Sequence, residues 1–511
     1  MIHKEYKRHF LLLLIFSTLV RSAIAFSTEL GNDEVYYRLF ASNLQWNYFD
    51  HPPMVAWLIR LTTGNLFLDT DFFIRLGAVL CGSLTLTMIY KCGKIIKDER
   101  AAFWASAIYA ATLYGTVISG TFILPDSPQM LFWSISLFFL IKISDQSVEK
   151  FKLNSYLILF GLSAGLGMLS KVHTVFLWLG FGMFILTKRR DIFNYYGLYV
   201  GLLLSFIIFL PVILWNFDND FITYRFHSSR VSHLGSGINL ASFLSFNFGQ
   251  VFYTSIILFP IFIKSIVSFI KKNKSNGQHS LLLILWVSLP LIIVSTFLSI
   301  FNTILPHWTG PSFSGLSLIT SIYLIEKFPL ENKLPKAIGY ALGLNLFICM
   351  SGLIVINFFP GTIGNKDEFK KGDGDFTLDM YGWSKAKDQV SIVINNDIRN
   401  KTMSKDALII ENKWFPAAHI EHYIANPLNK TVLVLGPIGD IHQYYFLNNE
   451  RNTLKKGDNA YSIVPSNNSF DAIKSFENLF STFDTAAVIP ILRGNKISKK
   501  IYLLRLKNYK K

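Results

Sequence analysis

Runs of about 15 to 25 apolar residues recur along the chain as far as residue 358, each followed by a short polar stretch, and then they stop. That length crosses the hydrocarbon core of a bilayer as a helix. A backbone in lipid must satisfy its own hydrogen bonds, which leaves helices or closed barrels, and unbroken runs such as LLLILWVSLPLIIVSTFLSI favour helices. The pattern predicts eleven spans, at 10–26, 73–90, 101–120, 128–143, 155–170, 174–187, 197–215, 241–263, 281–300, 308–325 and 337–358. The first resembles a signal peptide, with basic MIHKEYKRH, then FLLLLIFSTLV, then SAIA. Arg21 interrupts that run, and a retained first helix is expected. Cleaved or retained, it leaves residue 27 onward on the outer side.

The polar stretches alternate in charge. One set carries twenty Lys and Arg residues, in clusters such as Lys91, Lys94, Lys97 and Arg100 or Lys188, Arg189 and Arg190. The opposite set carries five: Arg38, Arg60, Lys171, Arg225 and Arg230. The bias puts the amino terminus in the cytoplasm and the 27–72 loop outside. It also explains the net charge of +16 without nucleic acid, because the basic residues form no single patch.

After residue 358 the chain turns polar. Short β-like runs, DALIIE, KTVLVLGP and TAAVIPILR, lie between turn-rich segments, and none could span a bilayer. The expected fold is therefore mostly α: a polytopic membrane domain at 1–358, whose functional outer loop is 27–72, and a small extracytoplasmic α/β domain at 359–511.

The 27–72 loop interleaves Glu29, Asp33, Glu34, Asp50, His51, Asp69 and Asp71 with Tyr36, Tyr37, Trp46, Tyr48, Phe49 and Trp57. A helix is expected at about 33–44, with Glu34 and Arg38 one turn apart. A second should start at Pro52-Pro53, with Met54, Trp57, Leu58 and Leu61 on its apolar side, lying in the interface. Asp33-Glu34 has two readings: one carboxylate takes a proton from an acceptor while the other orients the group, or both simply start a helix. Asp126, in the tight loop LPDSP, either caps the next helix or faces a shared cavity.

Candidate anion binders share the same outer side: His51, Arg75, Lys171, His173, Arg225, His227, Arg230, His233 and His307. Arginine offers a fork to phosphate oxygens and lysine a point charge, although either also anchors helix ends at headgroups. Cys81, Cys92 and Cys349 show neither metal-ligand spacing nor a disulfide framework. No cofactor is expected. Asp33, His51 or Asp126 could serve a hard divalent ion, but no tight ligand spacing supports one. A composition of 51% hydrophobic and 15% aromatic residues excludes an ordinary soluble protein.

The run DEVYYRLFASNLQWNYFDHPPMVAWLIRL resembles the bacterial polyprenyl-phosphate-sugar-dependent glycosyltransferases related to dolichyl-phosphate-mannose protein mannosyltransferases and aminoarabinose transferases. Further matches follow in order: FFIRL at 72–76, LPDSP at 124–128, GLGMLSKVHTVF at 165–176, PVILWNFDNDFITYRFHSSR at 211–230, PHWTGPSF at 306–313 and YGW at 381–383. The resemblance covers the membrane half well and the tail thinly. It implies a GT-C fold, Asp33 as general base with Glu34 beside it, and Asp126 near the acceptor or donor head. His51, Arg75 and Lys171 are the positions it suggests for the lipid phosphate. A nucleotide sugar is not implied, and Asp69-Thr70-Asp71 matches an Asp-x-Asp pattern only by its letters.

The expected function is transfer of a hexose or pentose from a polyprenyl-phosphate donor to lipid A, another glycan or protein, on the outer face of a bacterial inner membrane. Its partners are then the lipid-linked donor, that acceptor and the bilayer. A transporter or flippase of an envelope lipid is the rival, and it would want ionisable groups deep in the spans and repeat symmetry. A membrane-anchored binding protein working through its tail is a third reading.

Overall fold

The computed structural model describes residues 2–231, 237–272, 279–330 and 333–511, with the side chains of residues 2–4 and 229–231 outside that description. The helices in chain order are α1 (Ile2–Ser27), α2 (Asn32–Ser42), α3 (Met54–Thr62), α4 (Asp71–Ile96), α5 (Glu99–Ala110), α6 (Asp126–Ser144), α7 (Lys150–Ser170), α8 (Val175–Lys188) and α9 (Tyr196–Asp218). Then come α10 (Ile222–Val231), α11 (Leu240–Thr254), α12 (Phe259–Lys272), α13 (His279–Ser299), α14 (Gly310–Lys327), α15 (Lys336–Phe358) and α16 (Trp383–Arg399). The strands are β1 (Leu408–Glu411), β2 (Val432–Val434), β3 (Ala460–Pro465), β4 (Phe480–Arg493) and β5 (Lys496–Tyr509). Contacts divide the chain into two units, Met1–Phe26 with Leu44–Cys349, and Ser27–Asn43 with Met350–Lys511. The 27–72 loop is thus shared between them, parting at residue 43.

The first unit is a helical bundle. Among the described residues seven helices are long and apolar enough to cross a membrane: α1 from Glu5, α4, α6, α7, α9, α13 and α15. The span expected at 241–263 is not straight. It breaks into α11 and α12, which meet at 94° and pass the same test only as a pair. Ser255 has φ 87° at the break, and Pro260, lacking an N–H, cannot extend the α11 hydrogen-bond ladder. The other expected spans, 101–120, 174–187 and 308–325, are helical but shorter or less apolar. The 101–120 segment is α5 followed by a π-helical turn at Tyr114–Ile118. Helix α14 reads as less apolar because protein surrounds it; its buried Ser314, Ser317 and Ser321 bond back to their own helix's carbonyls.

Small residues let these helices pack closely. A Cβ at Gly161 of α7 would lie 2.2 Å from the Gly201 carbonyl oxygen of α9, so only glycine fits that crossing. Around it Trp104, Trp133, Phe160, Phe181 and Leu291 fill one continuous core. Helix α3 starts at Pro53 as expected, but its face is different: Val55, Ala56 and Ile59 are fully buried, while Leu61 is 77% exposed. Met54 and Trp57 still pack, against Leu169, Phe209 and Val212. Only Arg60 and Thr62 of its nine residues are polar, and both lie in the last turn, so periodicity had little with which to choose the inner side of the first two turns.

The second unit is α/β, and the three strand-like runs read from the sequence became β1, β2 and β4. Its sheet runs β2-β1-β3-β5-β4, with β1 parallel to β2 and β3, and β5 antiparallel to β3 and β4. Ile410, Leu433, Val464, Phe476 and Leu506 form its core.

Candidate active site

In the helical unit the site grows from two helix ends. Helix α6 begins at Asp126, but Pro125 occupies the N-cap and the Asp126 side chain makes no capping bond. Both carboxylate oxygens are used elsewhere: Lys171 Nζ donates to Oδ2 at 2.8 Å and Tyr114 Oη to Oδ1 at 3.2 Å. Lys171 follows the last residue of α7, and the pair is almost sealed, with side-chain exposures of 6% for Lys171 and 3% for Asp126. Tyr114 sits on the π-helical turn, where a wider ring of backbone re-aims the side chain. Gly310 opens α14 directly against it, since a Cβ there would come within 2.1 Å of the Tyr114 ring. Arg21, read from the sequence only as an interruption, is fully buried and donates from Nη2 to the Gly115 carbonyl of that turn at 3.3 Å.

Histidines flank the pair. His307 is close enough to Asp126 and Lys171 to feel both charges, and its ring lies 6.0 Å from that of Tyr253. The His173 ring is 5.0 Å from Trp308. His173 Nδ1 and Gln129 Oε1 are buried with no hydrogen-bond partner among the described residues. Gln129 Nε2 donates to Thr174 Oγ1 at 3.3 Å, so the second of these polar atoms borders the same helix junction.

The stretch WNYFDH at 46–51 docks on the start of α10. Asn47 Nδ2 donates to Thr223 Oγ1 at 2.8 Å, and Thr223 Oγ1 donates to the Tyr48 carbonyl at 3.0 Å. His227 Nε2 lies 2.7 Å from the Asp50 carbonyl and the His51 ring 6.0 Å from that of His227. Two separate stretches of the sequence resemblance are therefore one structure. Arg75 is fully buried, bonded to the Ala25 carbonyl at 3.3 Å and 5.5 Å from the Phe122 ring centre. Arg225 is exposed on α10. Arg230's side chain and His233 lie outside the described residues. The structure thus gathers Asp126, Lys171, His173 and His307, with His51 and His227 in a neighbouring cluster. No group of three His, Cys, Asp or Glu suited to a metal occurs among the described residues.

Asp33 and Glu34 belong to the second unit. Helix α2 starts after Gly31, and the buried Glu34 carboxylate turns back to accept the Gly31 N–H at 2.8 Å. Glu34 thus performs the helix-start role that the sequence allowed, while Asp33 is exposed. Near it, burial holds the Asp379 carboxyl up at about 6, against the pull of Lys499 and a hydrogen bond from Asn32. Burial likewise pushes Lys499 down to about 8. The YGW motif lies here too: Trp383 opens α16, and its N–H and that of Ser384 donate to the Glu29 carboxylate at 2.8 and 2.9 Å.

A multi-pass helical bundle joined to a small α/β unit is the architecture of GT-C membrane glycosyltransferases. The chain has the fold of ArnT from Cupriavidus metallidurans, with a TM-score of 0.65 at 13% identity over 96% of this chain and 97% of that one. The same protein bound to undecaprenyl phosphate matches at 0.64 and 12% identity, again over 96% and 97%. Residues 50–215 match the family described as dolichyl-phosphate-mannose-protein mannosyltransferase, in agreement with the resemblance read from the motifs. Among curated proteins, the chain is 23% identical over 338 residues to the lipid A galacturonosyltransferase RgtD of Rhizobium johnstonii, covering 66% of this chain and 67% of the relative. It is 25% identical over 345 residues to the undecaprenyl phosphate-alpha-4-amino-4-deoxy-L-arabinose arabinosyl transferase of Wigglesworthia glossinidia brevipalpis, covering 64% of this chain and 59% of that relative. These matches support a glycosyltransferase over a flippase.

Proposed function

We propose that this chain transfers a sugar from a polyprenyl-phosphate donor to lipid A or another envelope acceptor at the outer face of a bacterial inner membrane. The names of the relatives support the donor and acceptor classes. The observation that carries the reading is the buried Asp126–Lys171 pair. An ion pair sealed from water is a poor source of stability, so its presence at this helix junction is better accounted for by use than by packing. Held by Asp126, Lys171 is a fixed cation at a helix junction, suited to a phosphate whose charge grows during reaction.

In the reaction a base removes the acceptor's hydroxyl proton as that oxygen bonds the anomeric carbon. The bond from that carbon to the phosphate oxygen breaks, and its electron pair leaves with the polyprenyl phosphate, which gains one negative charge. Lys171, with Arg75 and the histidines, is assigned to that leaving group, Asp126 to holding Lys171, and Asp33 to the base. We assign the amino terminus to the cytoplasm and the C-terminal unit to the outer side on the loop-charge bias. Because cations of the chain meet the leaving group's charge, EDTA should leave the rate unchanged; a loss reversed by a divalent ion would add a metal to the site. The direct test is transfer to lipid A from undecaprenyl phosphate carrying 4-amino-4-deoxy-L-arabinose or galacturonic acid. Replacing Lys171 with Met should abolish retention of undecaprenyl phosphate by the membrane protein. Undiminished retention would return Lys171 to a purely structural role.

A further inference from the structure

The segment before and through Asp33 is held by side chains that follow it by more than three hundred residues in the sequence, all within its own unit. Leu30, fully buried and three residues before Asp33, has both backbone groups taken by side chains. Its N–H donates to Tyr423 Oη at 2.7 Å, and its carbonyl accepts from His419 Nε2 at 3.0 Å. Asn32, immediately before Asp33, donates from Nδ2 to Asp379 Oδ2 at 3.0 Å.

His419 ties these anchors together. Its Nε2 also stands 3.0 Å from the Asp379 carbonyl, and two carbonyl acceptors require that this nitrogen carry the hydrogen. Its Nδ1 is then bare, and it is buried without a partner among the described residues. Burial holds the ring neutral, down to about 3. The ring stacks on those of Trp383 at 4.5 Å and Tyr423 at 6.1 Å, which hold its tilt.

We propose that His419, Tyr423 and Asp379 are positioning residues for Asp33, so that the C-terminal unit serves to hold the catalytic base in place. The proposal rests on the reading of Asp33 as that base. A general base acts only within hydrogen-bond reach of the proton it removes, and a misplacement of about 1 Å costs on the order of a hundredfold in rate. Asp33 lies on the first turn of the eleven-residue α2, so the place where that turn begins sets where its carboxylate can reach. Clamping both backbone groups of Leu30 and the side chain of Asn32 fixes the start of that helix.

The test uses the full-length protein in detergent, with lipid A and undecaprenyl phosphate carrying 4-amino-4-deoxy-L-arabinose or galacturonic acid. Tyr423→Phe keeps the ring and removes the hydroxyl; His419→Leu removes the N–H donor, and His419→Gln supplies one. Tyr461→Phe is the control, removing a hydroxyl bonded to Asp397 at 3.0 Å in the same unit. Tyr423→Phe and His419→Leu should lower kcat about ten- to a hundredfold with KM for the donor unchanged. Amide hydrogen exchange at residues 30–37 should quicken in both. His419→Gln should keep more of kcat than His419→Leu, and Tyr461→Phe should change neither quantity.

In an Asp33→Asn background Tyr423→Phe should cause no further loss. Wild-type kcat and exchange in Tyr423→Phe, with Asp33→Asn inactive, would overturn the positioning role and leave the base reading intact. Full activity in Asp33→Asn would instead remove the base reading itself. An equal loss from Tyr461→Phe would reduce the effect to general destabilisation, and unchanged exchange at 30–37 would overturn the proposal even if neither donor is turned over.

Discussion

The two acids proposed for the chemistry are held in opposite ways. Asp126 is enclosed in the helical unit, and each of its oxygens is bonded to a side chain, Lys171 and Tyr114. Asp33 is exposed, and what surrounds it is a scaffold on its neighbours: Leu30 and Asn32 are tied to Tyr423, His419 and Asp379. A carboxylate bound at both oxygens beside an ammonium is a poor proton acceptor and a good fixed charge. Asp33, at an exposed position on a helix start whose preceding residues are tied down, suits a base that must reach a mobile acceptor. The division of roles follows from the difference in burial.

The largest expected effect breaks that division on the Asp33 side. Asp33→Asn keeps size and removes the proton acceptor; at the second position of α2, after the Gly31 cap, it gives up only the charge–dipole contribution of about 0.3–1 kcal/mol. Transfer should fall on the order of 10²–10⁴-fold, with purified protein still monodisperse and α2 unchanged by exchange. If transfer stays near wild type, the base is another group.

The next effect tests the Asp126 side as a balance of charges. Lys171→Met leaves a buried carboxylate without its cation, which should destabilise the chain by about 3–5 kcal/mol. Adding Asp126→Asn removes the stranded charge, so the double variant should regain most of the unfolding midpoint while still failing to retain undecaprenyl phosphate. If the double variant retains the lipid, the pair is structural only. If the single variant is as stable as wild type, the pair is not desolvated as its burial implies.

The members of both sites were partly legible from the chain. LPDSP and LSKVH marked Asp126, Lys171 and His173, because acids and bases at the ends of apolar runs are conspicuous. Their pairing was not legible, since α6 and α7 bring together residues 45 apart through helix packing that no local pattern encodes. Tyr114 gave no signal at all. It lies inside an apolar run, and only the π-helical turn and Gly310 turn its hydroxyl toward Asp126. The break at Ser255 was hidden for a similar reason, because the residues on both sides of it are apolar enough for one span. In the second unit DALIIE and TAAVIPILR gave strands by composition. The role of segment 27–43 as part of that unit rests on partners such as Tyr423, 393 residues from Leu30, and distance of that kind leaves no periodicity to read.

The smallest effect concerns the charge packed behind the Asp33 scaffold. Lys499 is fully buried in the second unit, donating to the Leu378 carbonyl at 2.9 Å, with its ammonium 4.0 Å from the Trp383 ring centre. Burial lowers its pKa from 10.5 to about 8, with Arg493 adding to the push and Glu29, Asp379 and Asp375 opposing it. Between pH 8 and 10.5 the unfolded chain therefore holds a proton that the folded chain has released, and stability from this group rises with pH across that window. Below pH 8 both states hold the proton, and the folded chain carries the full burial penalty of about 3 kcal/mol. Lys499→Met keeps an unbranched chain over Trp383 without the charge. It should unfold later than wild type at pH 7, and the difference should shrink toward zero as pH approaches 10.5. The measurement is the unfolding midpoint of the full chain in detergent, variant against wild type, from pH 7 to 10. A difference that stays flat across that range would mean that Lys499 titrates as in water. The charge would then be hydrated, and the scaffold behind Asp33 would be less closed than its geometry indicates.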